Sequence, residues 1–418
     1  MISNNNIGEF VYFSKLHVEG FKCFKNKQKL DMSDNNGSYS PWTIILGENG
    51  TGKTSLLRLI DRLQPEEEVF HDDEKAPIYV WDYPELKANI YFEIFINNEK
   101  NDYSITGPSF NTYKRNVWEH FFLLSYGASR RMGKTNTISF DNKDRLKTSS
   151  LFNDSIELIN AEEWLLQKEL LSEKAEPVVK DKFEKQLNQV KTILVDILPD
   201  VHNIRVKPIN ERNSKLIIEV ETDYSWVSIR DLSFGYQTLT ALIVDIAAKM
   251  MEQYPYSEEP LKNSVIILID EIDLHLHPKW QRTVLDKLSE HFPKAQFIAT
   301  SHSPLIVQAA QDRNANIIVC RKEGDKVIID NNPDEVKGWR IDQILVSDLF
   351  NVESSRSKDI QKFINEKNEI LSKAELLDND KDRLKELNLI IESLPSSITK
   401  QNIEAEYIIK KAAELLKK

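Results

Sequence analysis

Residues Gly47–Thr54 read GENGTGKT, a full match to the spacing G-x-x-x-x-G-K-[ST]. Glycines 47, 50 and 52 let the backbone curl until its N–H groups face a chain of phosphate oxygens, with Asn49 inside the same loop. Lys53 would then reach the β- and γ-phosphates, Thr54 would ligate Mg²⁺, and Ser55 would follow at the start of a helix whose positive end favours an anion. An apolar strand over Trp42–Leu46 and a helix over Ser55–Leu63 supply the context that this motif needs. The chemistry expected is the binding of a nucleoside triphosphate with Mg²⁺.

Two further segments bring polar residues to the ends of apolar runs. Val265–Glu271 reads VIILIDE, a buried strand that ends in two carboxylates. Asp270 would hold the Mg²⁺ shell, and Glu271 would orient or deprotonate an attacking water. Phe297–Pro304 reads FIATSHSP, and its His302 would sense the γ-phosphate by a hydrogen bond. His275 and His277, two positions apart in DLHLHP, are read as loop residues, because no further Cys or His clusters nearby as a metal site requires.

These residues must be carried by a common body. Apolar runs of strand length alternate with helical periodicities, the pattern of an α/β fold in which ligands sit at the carboxyl edge of a parallel sheet. Val11–Leu30 reads as two short strands, 77–100 as two more, and Phe121–Tyr126 as another. Residues 160–200 read as a helical pair, with apolar positions at spacings of three and four. The expected divisions are 1–140 (first part of the core, with the phosphate loop), 141–230 (insertion), 231–335 (second part of the core) and 336–418 (helical extension). The 418 residues carry a formal net charge of −11, so nucleic acid would be met only through a local basic patch. No run approaches the roughly 18 apolar residues of a membrane span, and the first residues lack the pattern of a secretion leader. The only cysteines, Cys23 and Cys320, lack C-x-x-C spacing and read as core residues of a protein in a reducing cytoplasm.

Leu232–Gln237 reads LSFGYQ immediately before a helix, which adds a second anion-binding N-terminus at Ser233 and Gly235. The order of phosphate loop, LSFGYQ and the Asp-Glu strand end resembles the ABC-type ATPases. The resemblance implies an ABC-type P-loop ATPase head with a helical insertion and a C-terminal helical extension. It also implies that Lys53, Thr54, Asp270, Glu271 and His302 act within one chain, while Ser233 and Gly235 cover the nucleotide held by a second copy. The opening hairpin KLHVEGFKCF is similar to that of RecF-like proteins, and His277 stands where transporter subunits have an aspartate, as in OLD-like ATPases. YGASRR (126–131) and GWRIDQILVSDLF (338–350) resemble stretches in the ATPase subunits of Septu and retron-linked anti-phage systems.

The TOPRIM nuclease residues of OLD and Gabija proteins have no counterpart in a fitting context. Val18-Glu19-Gly20 lies before the phosphate loop, and Asp378-Asn379-Asp380 is expected between helices. If the resemblance holds, cutting is done by a separate, HNH-like nuclease subunit. Six basic residues within Arg130–Lys147 offer a DNA contact or a solvated loop, and Arg130 or Arg131 would alternatively meet the nucleotide. Amphipathic stripes after residue 336 pack on the body or dock a partner. The leading expectation is an ATP-dependent homodimer that controls a partner nuclease in defence. A RecF/SMC-like repair ATPase and a slow-turnover nucleotide-sensing scaffold are the alternatives.

Overall fold

The computed structural model describes residues 10–34, 36–63, 67–69, 78–82, 89–106, 109–112, 122–133, 150–207, 216–333, 336–350, 352, 354, 356–373 and 377–392. The chain divides into two compact units, Met1–Phe350 and Asn351–Lys418.

In the first unit, the elements run β1 (Val11–Glu19), β2 (Gln28–Asp31), β3 (Trp42–Gly47), α1 (Lys53–Asp61), β4 (Glu67–Val69), β5 (Ile78–Asp82), β6 (Asn89–Ile96), β7 (Glu99–Thr106), β8 (Ser109–Thr112) and β9 (Leu123–Tyr126). Then come α2 (Ala161–Lys174), α3 (Pro177–Ile197), β10 (Val201–Val206), β11 (Ile218–Thr222), β12 (Trp226–Ser228) and α4 (Phe234–Gln253). The unit continues with β13 (Val265–Ile269), α5 (Pro278–Gln281), α6 (Val284–His291), β14 (Ala295–Thr300), α7 (Pro304–Asp312), β15 (Asn316–Glu323), β16 (Lys326–Asp330) and α8 (Ile341–Val346).

The central sheet has six strands in the order β16-β15-β3-β14-β13-β9. All neighbours are parallel except β15 and β16. Its strands read as unbroken apolar runs because both faces are covered. Trp42, Ile44 and Leu46 of β3 enter one core with Val265, Ile267 and Ile269 of β13 and with α4. Ile45, Ile266, Leu268 and Ile298 enter the opposite core with Leu56 and Ile60 of α1 and with β1. The indole of Trp42 stacks on Phe297 of the neighbouring strand, with centroids 4.2 Å apart.

A second, antiparallel sheet, β2-β1-β6-β7, lies over α1. Buried Gln296 joins the two sheets, accepting from the Phe13 N–H at 2.8 Å and donating to its carbonyl at 2.7 Å. β7 is absent from the sequence reading, since EKNDYSIT has too few apolar residues to register as a strand. It forms because Asn97 and Asn98, with φ of 48° and 69°, make the two-residue turn that a hairpin favours. Two three-stranded sheets, β4-β5-β8 and β10-β11-β12, complete the unit.

The second unit contains α9 (Lys358–Leu371) and α10 (Asp378–Glu392). Arg383 joins them with paired bonds to Glu366, 2.8 and 3.0 Å. Asp378-Asn379-Asp380 forms the first turn of α10 and does not lie between helices, because acidic side chains suit the positive helix end.

Candidate nucleotide-binding site

The parallel register aligns the carboxyl ends of β3, β14, β13 and β9 at one edge of the sheet. The phosphate loop leaves β3 there, Asp270 and Glu271 leave β13, Ser301 and His302 leave β14, and Gly127–Arg130 leave β9.

Gly47 has φ of 145°, and a Cβ there would stand 2.5 Å from the Cys320 carbonyl of β15. Gly52, at φ 83°, is the N-cap of α1, so the helix begins directly at Lys53, two residues earlier than the sequence suggests. A side chain at Gly52 would collide with Cys23 and Phe24, which bring the β1–β2 connection over the loop.

A cavity of about 350 Å³ opens here, within the range of small-molecule sites. Asn49, Gly50, Gly52, Lys53, Thr54 and Ser55 line it, together with Asp270, Glu271 and His302. Gly47 lies beneath, and Lys53 Nζ donates to the carbonyls of Gly47 at 2.8 Å and Glu48 at 2.9 Å. Burial pulls the Lys53 ammonium below the usual lysine value, against the opposing charges of Asp270 and Glu271. Lys22 and Cys23 also line the cavity; the sequence reading did not name Lys22 and took Cys23 for a core residue, whereas it is half-buried at the cavity wall.

The acidic end of β13 is held by a bonded chain. Thr54 Oγ1 donates to Asp270 Oδ2 at 2.8 Å, and Thr300 Oγ1 donates to Asp270 Oδ1 at 2.6 Å. Thr300 Oγ1 also accepts the N–H of Glu271 at 2.7 Å. Glu271 itself has φ of 49°, a left-handed conformation that costs a non-glycine residue on the order of 1 kcal/mol or more. Burial, and then the charge of Lys53, push the His302 imidazole below the ordinary histidine value, against the charges of Asp273, Glu271 and Asp270. Its backbone N–H donates to Asp273 Oδ1 at 3.2 Å.

Ser233 and Gly235 are placed elsewhere and do not line this cavity. Ser233 is the N-cap of α4, and buried Gly235 lies against the carbonyl of His275, where any Cβ would collide. Phe234 meets His275 edge-on with centroids 4.7 Å apart, and Tyr236 meets Trp280 at 4.4 Å. Gln237 Nε2 donates to the carbonyls of Arg230 and Leu232, both at 2.8 Å, which shapes the entry to the helix. The start of α4 is thus fastened to the loop that follows Glu271. In that loop His277 Nδ1 caps α5, accepting the Lys279 N–H at 3.3 Å.

Arg130 departs from the basic stretch to which the sequence assigns it. It is 4% exposed and donates to the carbonyl of Asp270 at 2.6 Å and to that of Glu271 at 2.9 Å, so it cannot belong to a surface that meets DNA. Arg131 is exposed, whereas Lys134, Lys143, Arg145 and Lys147 lie outside the described residues. No helix among the described residues is long and apolar enough to cross a membrane.

Comparison with known proteins adds to this geometry. The profile of the family described as "AAA domain, putative AbiEii toxin, Type IV TA system" matches residues 43–308, and a second AAA-domain profile matches residues 15–61. The chain is 29% identical over 353 residues to "Septu protein PtuA" of Bacillus mycoides (strain KBAB4), covering 82% of this chain and 45% of that protein. It is 39% identical over 134 residues to "Retron Vc95 probable ATPase" of Vibrio cholerae serotype O1 biovar El Tor, covering 32% of this chain and 25% of that protein. The chain therefore spans less than half the length of either relative. Among solved structures it is similar to the SmcHead bound to the C-winged helix domain of ScpA, with a TM-score of 0.40 and 15% identity over 76% of this chain and 97% of that one.

Proposed function

The chain belongs to the AAA-domain family and resembles Septu PtuA, and on that premise we propose that it hydrolyses ATP as a head-to-tail homodimer and controls a separate nuclease in anti-phage defence. The observation that carries the reading is the meeting of Lys53, Thr54, Asp270, Glu271 and His302 around one cavity at the sheet edge. In this reading Lys53 exchanges its two carbonyl partners for β- and γ-phosphate oxygens. Glu271 takes a proton from a water whose oxygen attacks the γ-phosphorus; the bond to the β–γ bridging oxygen breaks, giving ADP and phosphate. His302 donates a ring N–H hydrogen bond to a γ-phosphate oxygen.

The donor set suits Mg²⁺, because the Thr54 hydroxyl and the Asp270 carboxylate meet as hard oxygen ligands beside the phosphate loop. When bound, the ion would neutralise negative charge on the phosphates.

The dimer reading is supported by the position of Ser233 and Gly235 outside the cavity of their own chain, at the N-terminus of a 20-residue helix. From a second copy, that helix end would cover the γ-phosphate. The nuclease is assigned to another chain of HNH type, with residues 336–418 as its docking region. Exposed Leu371, Leu377 and Leu389 in the second unit support that assignment.

The test is Mg²⁺-dependent release of phosphate from ATP by the purified chain, with Lys53→Ala as control. Turnover that survives Lys53→Ala, or no turnover with ATP and Mg²⁺ in the presence of the partner nuclease, would overturn the reading.

A further inference from the structure

Both peptide groups that flank the Cα of Glu271 are pinned by side chains from elsewhere in the chain, Thr300 at the end of β14 and Arg130 in the segment after β9. On the amino side, the Glu271 N–H donates to Thr300 Oγ1 at 2.7 Å. Arg130 Nη1 donates to the Asp270 carbonyl of the same peptide group at 2.6 Å, and on the carboxyl side Nη2 donates at 2.9 Å to the Glu271 carbonyl, which also accepts the Leu274 N–H at 3.0 Å. With the carbonyls before and after it and its N–H fixed, Glu271 has little freedom in φ, ψ or the direction of its Cα–Cβ bond.

That constraint acts on a strained pair. Glu271 and Arg130 both adopt positive φ, 49° and 25°, although neither is glycine. Pairing between β9 and β13 does not need the guanidinium. The ladder joins Tyr126 to Ile269, and the Asp270 N–H donates to the Tyr126 carbonyl at 2.8 Å. Arg130 acts only on the two residues beyond the ladder. Its cation is buried beside the Asp270, Glu271 and Asp273 carboxylates, yet its fork is used on main-chain oxygens. Only a guanidinium presents two nitrogens in a rigid plane to two carbonyls at once; a lysine offers a single point of attachment.

We propose that Arg130 is a positioning residue for ATP hydrolysis, a buried clamp that holds the left-handed turn at Glu271 and so aims its carboxylate at the water. The proposal rests on the reading of Glu271 as the group that activates water.

The experiment compares the full chain with Arg130→Lys, Glu271→Gln and the double variant. Active sites are counted by titration with ATP, and turnover per site is measured with Mg²⁺. The expected result for Arg130→Lys is a fall in kcat of about tenfold or more, with KM within about threefold of the unaltered chain. In single-turnover measurements the double variant is no slower than Glu271→Gln by more than about threefold, since a misaimed side chain has nothing left to lose. Unchanged kcat per site in Arg130→Lys, or losses that simply multiply in the double variant, would overturn the proposal. Should Arg130→Lys bind no ATP, Arg130→Gln is measured in the same way; failure of both to bind would assign Arg130 to folding or nucleotide capture and also overturn it. If Glu271→Gln alone turns over at the unaltered rate, the reading of Glu271 itself fails. If Glu271→Gln is slow and Arg130→Lys is not, only the clamp fails.

Discussion

Thr54 and Asp270 stand 216 positions apart in the chain and share a 2.8 Å hydrogen bond, hydroxyl to carboxylate. One lies in the first turn of α1 and the other directly follows β13, so the bond exists only because β3, β14 and β13 lie side by side in parallel register. In the proposed reading, Thr54 and Asp270 are the residues that would hold the metal ion.

Thr54→Ala removes one of those two side chains and leaves the Asp270 carboxylate its bond from Thr300. The expected outcome is a rise of about tenfold or more in the Mg²⁺ concentration needed for half-maximal turnover, with Tm little changed. An Mg²⁺ titration of phosphate release measures it, and an unaltered midpoint would remove Thr54 from the metal site.

Glu271→Gln keeps the size of the side chain and the main-chain bonds to Thr300 and Arg130, since those use its N–H and carbonyl. Turnover should fall by about a hundredfold, while ATP binding persists. With hydrolysis blocked, ATP-bound dimers should accumulate in light scattering after size exclusion. Monomers under saturating ATP and Mg²⁺ would count against the shared site.

Gly235→Ala tests the fastening of α4 to the loop after Glu271. A methyl group at residue 235 would collide with the His275 carbonyl, a backbone atom that has little room to yield. Overpacking of this kind costs about 1–3 kcal/mol, visible as a lower Tm. Because the displaced residues include Ser233, dimer formation should weaken more than ATP binding to the monomer. Equal Tm and equal dimerisation would show that the contact has slack.

Asp61 at the end of α1 is half-buried, and its partial withdrawal from water pushes its carboxyl up from 3.8 to about 6, with the Ser125 hydroxyl pulling the other way. A carboxyl whose pKa rises on folding gives stability that is complete below the unfolded value and is lost as pH climbs through the folded one. The loss is at most about 3 kcal/mol by pH 8. Asp61→Asn keeps an acceptor for Ser125, so it should melt higher than the unaltered chain at pH 7.5. The gap should close as pH falls below about 5. A gap that does not change with pH would contradict the assignment.

The fold was legible in the sequence wherever apolar runs were long. β3, β13 and β14 are covered on both faces, so each appears as a continuous hydrophobic run that needs no partner to be recognised. The placing of the phosphate loop, Asp270, Glu271 and His302 at one sheet edge was readable for the same reason, because β3, β13 and β14 end just before them. β7 was not legible, since its pairing depends on the asparagine turn before it and not on its own composition. The roles of Arg130 and Thr300 were hidden for a different reason. Their partners are main-chain or side-chain atoms about 30 to 141 positions away, and no spacing rule carries that information. Arg130 was drawn instead into a charge count with its neighbours, which exposure alone corrects.

In the proposed dimer, the phosphate loop of one chain is completed by Ser233 and Gly235 of another. This claim is tested most directly by mixing two inactive variants, Lys53→Ala and Ser233→Arg, in equal amounts. Each alone should hydrolyse almost no ATP. In the mixture, half of the dimers join one chain of each kind, and these hold one intact shared site, formed by Lys53 of the Ser233→Arg chain and Ser233 of the Lys53→Ala chain. Activity should then return to about a quarter of that of the unaltered protein. No recovery in a mixture that light scattering shows to contain dimers, or full activity of Ser233→Arg alone, would contradict the account.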